Sequence, residues 1–245
     1  MDLKDQVAIV TGAGQGMGRG IAEKLSRDGA LVVVADKNEE GARETARSIE
    51  SAGGRALAVK TDVSILSDIK ELFEKCKREF GRPDIFCANV SLSYISPILE
   101  TSEEEFDMVY DINAKGTFFG IKEAGLQLND GGRIVVTASS QVLYPNPGFA
   151  LYASTKAAMT LMVKVAALEF ADRGITINSV MPGVTETPSM KEGLPLEFQQ
   201  QIAERSPLKR LGKPEDIAEV VAFLASKNSQ WVSGQNILVN GGCLF

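Results

Sequence analysis

Residues 7–36 constrain the fold more than any other stretch. They read Val7-Ala-Ile-Val-Thr11, then Gly12-Ala13-Gly14-Gln15-Gly16-Met17-Gly18, then a helical run to Asp28, then Leu31-Val-Val-Val-Ala-Asp36. The two apolar runs predict strands buried on both faces, and the glycine-rich turn between them opens a helix. Gly12 lets the chain turn off the first strand, Gly16 leaves room against the backbone, and Gly18 lets the helix pack close to the sheet. The first turn of such a helix presents free N–H groups and the positive end of its dipole, which suits a pyrophosphate. Asp36 lies 18 residues after Gly18, where a carboxylate meets an adenosine ribose. The unit predicts a dinucleotide-binding half. Asp36 selects NAD over NADP, because a 2′-phosphate would face a carboxylate. Gln15 agrees, since it puts no basic side chain in the turn, although Lys37 stands next to the acid.

The chain contains no histidine. That excludes a Ser-His-Asp triad, a histidine general base and histidine zinc sites, so acid–base chemistry near neutral pH falls to a perturbed Tyr, Lys, Cys or carboxylate. With 44% hydrophobic and 24% charged residues, the 245-residue chain has ordinary globular composition and can bury a full core. A net charge of −6 without a basic stripe argues against nucleic acid or an anionic membrane as partner. No apolar run reaches membrane-spanning length, and the first residues carry no apolar signal core. Cys76, Cys87 and Cys243 are widely spaced, which suggests reduced thiols, a cytoplasmic protein and no metal.

Strand and helix then alternate. Helix is expected over 39–51, strand over 56–60, helix to about Phe80 with Ser64 as its cap, and strand over 84–88. Ser102 should cap a long helix running to about Leu128. Strand 133–137, helix 150–172, strand 176–180, helix 215–225 and strand 236–239 complete the pattern. The expectation is a single α/β domain over 1–245, a Rossmann-type doubly wound parallel sheet of about seven strands with helices on both faces. Residues 182–207 hold four prolines and read as an irregular lid with at most a short helix near 196–205.

Open parallel sheets bind ligands outside the carboxyl ends of their strands. Ser139 follows the fifth strand there, and Tyr152 and Lys156 come 13 and 17 residues later, on one face of the next helix. A tyrosine ionises near ~10, so exchanging a proton at neutral pH needs a neighbouring cation, and Lys156 offers one. The glycine turn of the form TGxxxGxG, with Asp36, Asp62, Asn113, Ser139, Tyr152 and Lys156, then Pro182-Gly183 and Thr187, resembles the classical short-chain dehydrogenase/reductase family. The similarity covers essentially the whole chain. It includes Pro207-Leu-Lys-Arg-Leu-Gly-Lys-Pro-Glu-Asp216, Ser233-Gly234-Gln235 and Val239-Asn-Gly-Gly242.

The resemblance implies hydride transfer between nicotinamide and a carbonyl or alcohol carbon. It implies Tyr152 as acid or base, Ser139 as hydrogen-bond donor to the substrate oxygen, and Lys156 as the residue that depresses the tyrosine pKa and holds the nicotinamide ribose. It implies Asn113 as holder of a relay water, Asp62 and Val63 beside the adenine, and Val184 and Thr187 at the carboxamide. Bland alternatives are a Ser139 or Ser140 that caps the loop and an Asn113 bonded to a helix carbonyl. The chain departs from the pattern after the fourth strand. There it has Ala88-Asn89-Val90-Ser91 where the family usually has Asn-Asn-Ala-Gly, so Asn89 is kept beside the cofactor and the closing glycine is lost. If Ser91 took a positive φ, it would be strained by roughly 1 kcal/mol or more. Substrate contacts are expected from Ser91, Ser93, Tyr94, Gln141, Leu143, Tyr144 and Phe149. The expected activity is an NAD-dependent dehydrogenase of a secondary alcohol or ketone, with a hydroxy-ketone, a sugar-like polyol and a ring ketone all open. A 3-oxoacyl-acyl-carrier-protein reductase is the alternative, and a catalytically idle nucleotide-binding protein a distant third. Long apolar-faced helices over 102–128 and 150–172, and an apolar C-terminus ending at Phe245, predict a homotetramer.

Overall fold

The computed structural model describes residues 1–243; the predicted apolar end at Phe245 lies outside the described residues. Seven strands form one sheet in the order β3-β2-β1-β4-β5-β6-β7. They are β1 (Val7–Thr11), β2 (Leu31–Asp36), β3 (Arg55–Lys60), β4 (Ile85–Ala88), β5 (Arg133–Thr137), β6 (Thr176–Pro182) and β7 (Asn236–Val239). Every pairing is parallel, with Ile9 opposite Val33 on one side and Phe86 on the other. A parallel sheet needs a crossover between neighbours, and these crossovers cover both faces with helices. That is why β1, β4 and β6 are buried at every position instead of alternating.

One face carries α1 (Gly16–Arg27), α2 (Glu39–Ser51) and α9 (Pro214–Ala225), packed on Ala8, Val10, Val32, Val34 and Ile85. The other carries α3 (Leu66–Phe80), α5 (Gly116–Gln127) and α6 (Ala150–Glu169), packed on Ile9, Val33, Phe86, Ile134 and Ile177. Strand order reverses between β1 and β4, so the crevice of a doubly wound sheet opens at their carboxyl ends. Among the described residues, no helix is long and apolar enough to cross a membrane.

Several expectations need correction. The long helix from Ser102 is three pieces: α4 (Glu103–Tyr110), a π-helical turn over Asp111–Lys115, and α5. Ser102 does cap it, in a reciprocal capping box with Glu105. Ser64 does not cap α3. Its N–H and hydroxyl instead donate to the Asp62 carboxylate, at 2.9 and 2.7 Å, and Ile65 occupies the cap position. A nearby carboxylate is a stronger acceptor than the helix donors are partners for a hydroxyl. The segment 182–207 holds the expected short helix, α8 (Leu196–Arg205), and also an unexpected one, α7 (Pro188–Gly193), capped by Thr187. Pro188 and Pro195 stand at or just before these helix starts, where a missing N–H costs nothing. Strand β6 runs on to Pro182 because it keeps pairing with β7 as far as Val239.

Candidate active site

At the crevice, Gly12 turns the chain off β1 at φ +65°, and the first turn of α1 comes down on that corner. A side chain at Gly18 would place its Cβ 2.0 Å from the Gly12 carbonyl oxygen, so the approach requires glycine. Gly16, Met17 and Gly18 then fall in the first helical turn, where backbone N–H groups have no helical acceptor. Gln15 caps this helix without a side-chain bond. Gly16 faces the Thr187 methyl, 3.2 Å from where a Cβ would stand, so the 182–207 segment lies directly on the turn. Asp36 closes the outer side. Its carboxylate accepts from Gly14 N–H and Asn38 N–H, both at 2.9 Å. The cradle, its uncommitted donors and the acid beside it fit a dinucleotide.

Asn89 belongs to the same corner. Its N–H is held by the Thr11 hydroxyl at 3.1 Å, its amide donates to the Thr11 and Gly12 carbonyls, and its oxygen accepts from the Thr137 hydroxyl. The side chain thus ties β1 to β5 beneath the site. Val90 packs on Gly12, its methyl 3.1 Å from where a Cβ would stand. Among the described residues only Asp5 and Lys209 have positive φ outside glycine, so Ser91 carries no strain of the kind anticipated.

At the carboxyl end of β5, Ser139 caps a short 3₁₀ turn by accepting from Gln141 N–H at 3.2 Å, which leaves its own proton to donate. Tyr152 lies in the first turn of α6, at the same carboxyl-end side of the sheet as Ser139. Lys156 is fully buried, donates to the Thr137 carbonyl at 2.7 Å, and has its ammonium 5.6 Å from the Tyr152 ring centre. Burial brings the Lys156 ammonium down to about 7. A lysine close to losing its proton offers little charge to a neighbour. Consistent with that, burial holds Tyr152 above its ordinary value, and the opposing pull comes from Ser139 and Ser91. In the ligand-free protein the expected depression of Tyr152 by Lys156 is therefore absent.

Asn113 is fully buried in the π-helical turn. Its oxygen accepts from Leu92 N–H at 2.7 Å, and its amide donates to the Leu92 carbonyl at 3.0 Å and to the Thr155 hydroxyl at 3.1 Å. Both amide hydrogens are thus committed to protein, and the carbonyl that Asn113 bonds belongs to the Leu92 loop and not to a helix. Of the adenine-side residues, Asp62 is held below the usual carboxylate range by the Ser64 hydroxyl. Val63 is buried against Gly116. Pro182 ends β6, Gly183 N–H bonds Val239, and Val184 is exposed.

The loops around Tyr152 supply the rest. Ser96 N–H bonds the Gly148 carbonyl at 2.9 Å, joining the loop of Ser91 and Ser93 to that of Leu143 and Tyr144. Phe149 meets Tyr152 edge to face at 6.2 Å. Gln141 is taken up in holding Asn146, and the Tyr94 hydroxyl donates to Glu105 at the α4 cap, so neither side chain is idle. Sequence reasoning missed Thr11, Thr137 and Thr155. They are ordinary threonines in the sequence, and their roles arise from contacts between distant elements.

Residues 12–243 match the family model described as enoyl-(acyl carrier protein) reductase. The short chain dehydrogenase/reductase AacuN of Aspergillus aculeatus is 40% identical, over 98% of this chain and 96% of its own. The chain belongs to the short-chain dehydrogenase/reductase family. A second relative, hydroxynaphthalene reductase-like protein Arp2 of Metarhizium brunneum, is 39% identical over 98% of this chain and 95% of its own. Among solved structures, the angucycline C-6 ketoreductase LanV with bound NADP superposes with a TM-score of 0.94 at 35% identity, covering 99% of this chain and 97% of that one. The promiscuous reductase LugOII, which catalyses keto-reduction at C1 during lugdunomycin biosynthesis, gives 0.93 at 35% identity with full coverage of both. As a short-chain dehydrogenase/reductase, the chain is an oxidoreductase.

Burial of Lys156 has a consequence for stability. The folded protein releases this proton at about 7, whereas the model value for a free lysine is 10.5, so above pH 7 the unfolded state binds more protons. Stability should therefore climb from pH 7 to 9 by about 1.4 kcal/mol per pH unit relative to Lys156→Met, in which the group is gone. Paired denaturant titrations without cofactor check this. Parallel pH curves for the two proteins would contradict a buried, easily deprotonated Lys156.

Proposed function

We propose that this protein is an NAD(H)-dependent reductase, and in reverse a dehydrogenase, of a ketone or secondary alcohol carried on an apolar ring system. The observation that carries the reading is Lys156, fully buried with its ammonium 5.6 Å from the Tyr152 ring centre, beside the end of β5 where Ser139 accepts from Gln141 and keeps its own proton to donate. When bound, a nicotinamide dinucleotide supplies or takes the hydride. The protein's own residues handle the proton. Tyr152 gives its hydroxyl proton to the carbonyl oxygen as charge develops there, and Ser139 donates a hydrogen bond to the same oxygen. Lys156, which exchanges its proton near neutral pH, returns one to Tyr152. Asn113 holds the Leu92 loop and Thr155 in place, and a relay water would use its remaining lone pair or its backbone.

A ring ketone is favoured over a polyol by the rim of the cleft. Ile95, Leu143, Leu196 and Phe198 are exposed large apolar side chains on the loops and lid. The named ketoreductase and hydroxynaphthalene reductase relatives support the same choice. Segment 182–207, lying on Gly16 through Thr187, is read as the lid over substrate and cofactor. The acyl-carrier alternative needs free basic groups for docking, and Arg173 is paired with Asp130 at 2.7 Å. We expect Tyr152→Phe to lower reduction of a bicyclic aromatic ketone by about 10²–10⁴-fold while leaving cofactor affinity within about threefold. Retention of most turnover would remove Tyr152 from its role.

The cofactor choice rests on Asp36, whose carboxylate stands where a 2′-phosphate would come. NADP is the second reading, favoured by LanV's bound NADP and by Arg19, which donates to the Gly14 carbonyl at 2.7 Å beside its partner Glu44. Titration by the fluorescence of the reduced nicotinamide should show NADH binding at least about tenfold tighter, a difference of about 1.4 kcal/mol, with Asp36→Ala removing that preference. Tighter NADPH binding by the unaltered protein would reverse the assignment.

The reading extends to a cytoplasmic homotetramer. Helices α5 and α6 turn Phe118, Leu161 and Leu168 to solvent, the last with 81% of its surface free, as faces that a second copy would cover. Sedimentation at micromolar concentration should give four times the mass of one chain; a monomer would refute it.

A further inference from the structure

Residues 91–97 belong to no strand or helix, yet their exposure alternates. Ser91, Ser93 and Ile95 are exposed, while Leu92, Tyr94 and Ser96 are half-buried. Side chains alternate in this way along an extended chain. Each half-buried member is also tied down. Leu92 has its N–H and its carbonyl bonded by the side chain of Asn113. The Tyr94 hydroxyl donates to Glu105, whose other carboxylate oxygen accepts from Ser102 N–H at 2.9 Å. Ser96 N–H donates to the Gly148 carbonyl at 2.9 Å. Three ties on alternate residues fix one side of the segment and leave the side chains of the other side free. Tyr94, expected at the substrate, is thus a strut of this segment.

Ile95 is the large apolar side chain on the free side, with 59% of its surface exposed, and it has a definite seat. Gly148 has φ +82°, and a Cβ there would stand 3.0 Å from the Ile95 Cγ2 methyl, so the isoleucine rests directly on that glycine. The next residue, Phe149, occupies the N-cap of α6 and meets Tyr152 edge to face, ring centres 6.2 Å apart. Ile95, Gly148, Phe149 and Tyr152 therefore make one connected strip that begins at the rim and ends at the tyrosine.

We propose that Ile95 determines how wide a fused-ring ketone the site accepts: with Phe149 it is the apolar wall along which the rings lie while the carbonyl reaches Tyr152. The wall holds its place because the segment behind it is tied at Leu92, Tyr94 and Ser96. Ile95 in this role deepens the reading of the cleft as a ring-ketone site and depends on it. The test uses the full-length protein, with whichever of NADH and NADPH it binds more tightly, and ketones of one, two and three fused rings: cyclohexanone, 2-tetralone and a tetrahydroanthracenone. Misfit by a single methylene in an apolar pocket is worth about tenfold or more. Ile95→Ala should therefore raise kcat/KM for the three-ring ketone relative to 2-tetralone by about tenfold. Ile95→Trp should lower kcat/KM for 2-tetralone by about tenfold and leave cyclohexanone within about threefold. Cofactor affinity and the pH profile should stay as they are in both variants. Ratios that remain within about twofold of the unaltered protein overturn the proposal.

A second readout needs no turnover. In protein carrying isoleucine labelled with ¹³C at Cδ1, the Ile95 resonance is the one lost in Ile95→Val. Saturating 2-tetralone, added to the cofactor-loaded protein, should displace that resonance through the ring current of its aromatic ring. An unmoved resonance removes Ile95 from the wall. If the unaltered protein reduces these ketones with ratios that no Ile95 variant shifts, the role of Ile95 falls alone. If it neither binds nor reduces any of the three, the ring-ketone reading falls and takes the wall with it.

Discussion

The close approach of α1 to the end of β1 is the contact on which the rest depends. With a Cβ at Gly18 falling only 2.0 Å from the Gly12 carbonyl oxygen, the helix start is pressed against that carbonyl. That brings the first-turn N–H groups to the mouth of the crevice and leaves a narrow corner behind them. The corner is filled by Asn89, whose side chain bonds both β1 and the Thr137 hydroxyl of β5. Thr137 in turn presents its carbonyl to Lys156. One glycine contact thus sets the spacing between the cradle and the group of polar residues at the neighbouring strand.

Two kinds of polar burial meet at this site. Asn113 is buried with each of its amide hydrogens used, so it fixes Leu92 and Thr155 without an unsatisfied group. Lys156 is buried with a single carbonyl partner and no carboxylate bonded to it, which is why its proton becomes labile near neutral pH. The first rigidifies; the second makes a proton available. The buried thiols of Cys76 and Cys87 lie in the core instead and are pushed up to about 12, which keeps them unreactive.

Much of this could be read along the chain because it is local. The glycine spacing, the apolar runs and the four-residue step from Tyr152 to Lys156 are properties of one strand, one turn or one helix, and periodicity reports them directly. The errors fell where two local preferences compete. Ser64 had both a helix start and a carboxylate in reach, and the charged acceptor won. In 182–207 the helix at 196–205 was legible, but Pro188, which read as a breaker, starts a second helix. The π-helical turn at 111–115 left no periodic mark, since one extra residue in a turn barely disturbs an apolar stripe.

By itself the sequence determined a doubly wound parallel sheet, a nucleotide cradle after its first strand, and a serine, a tyrosine and a lysine near the carboxyl ends. The strand order around the switch point follows from those same rules of alternation and handedness. Tertiary structure alone decided that Lys156 is buried behind the Tyr152 ring deeply enough to weaken its charge, and that Asn113 grips the Leu92 loop. These are contacts between residues tens of positions apart. Their distances are set by how closely helices lie on the sheet, and their energies by the water excluded when they do.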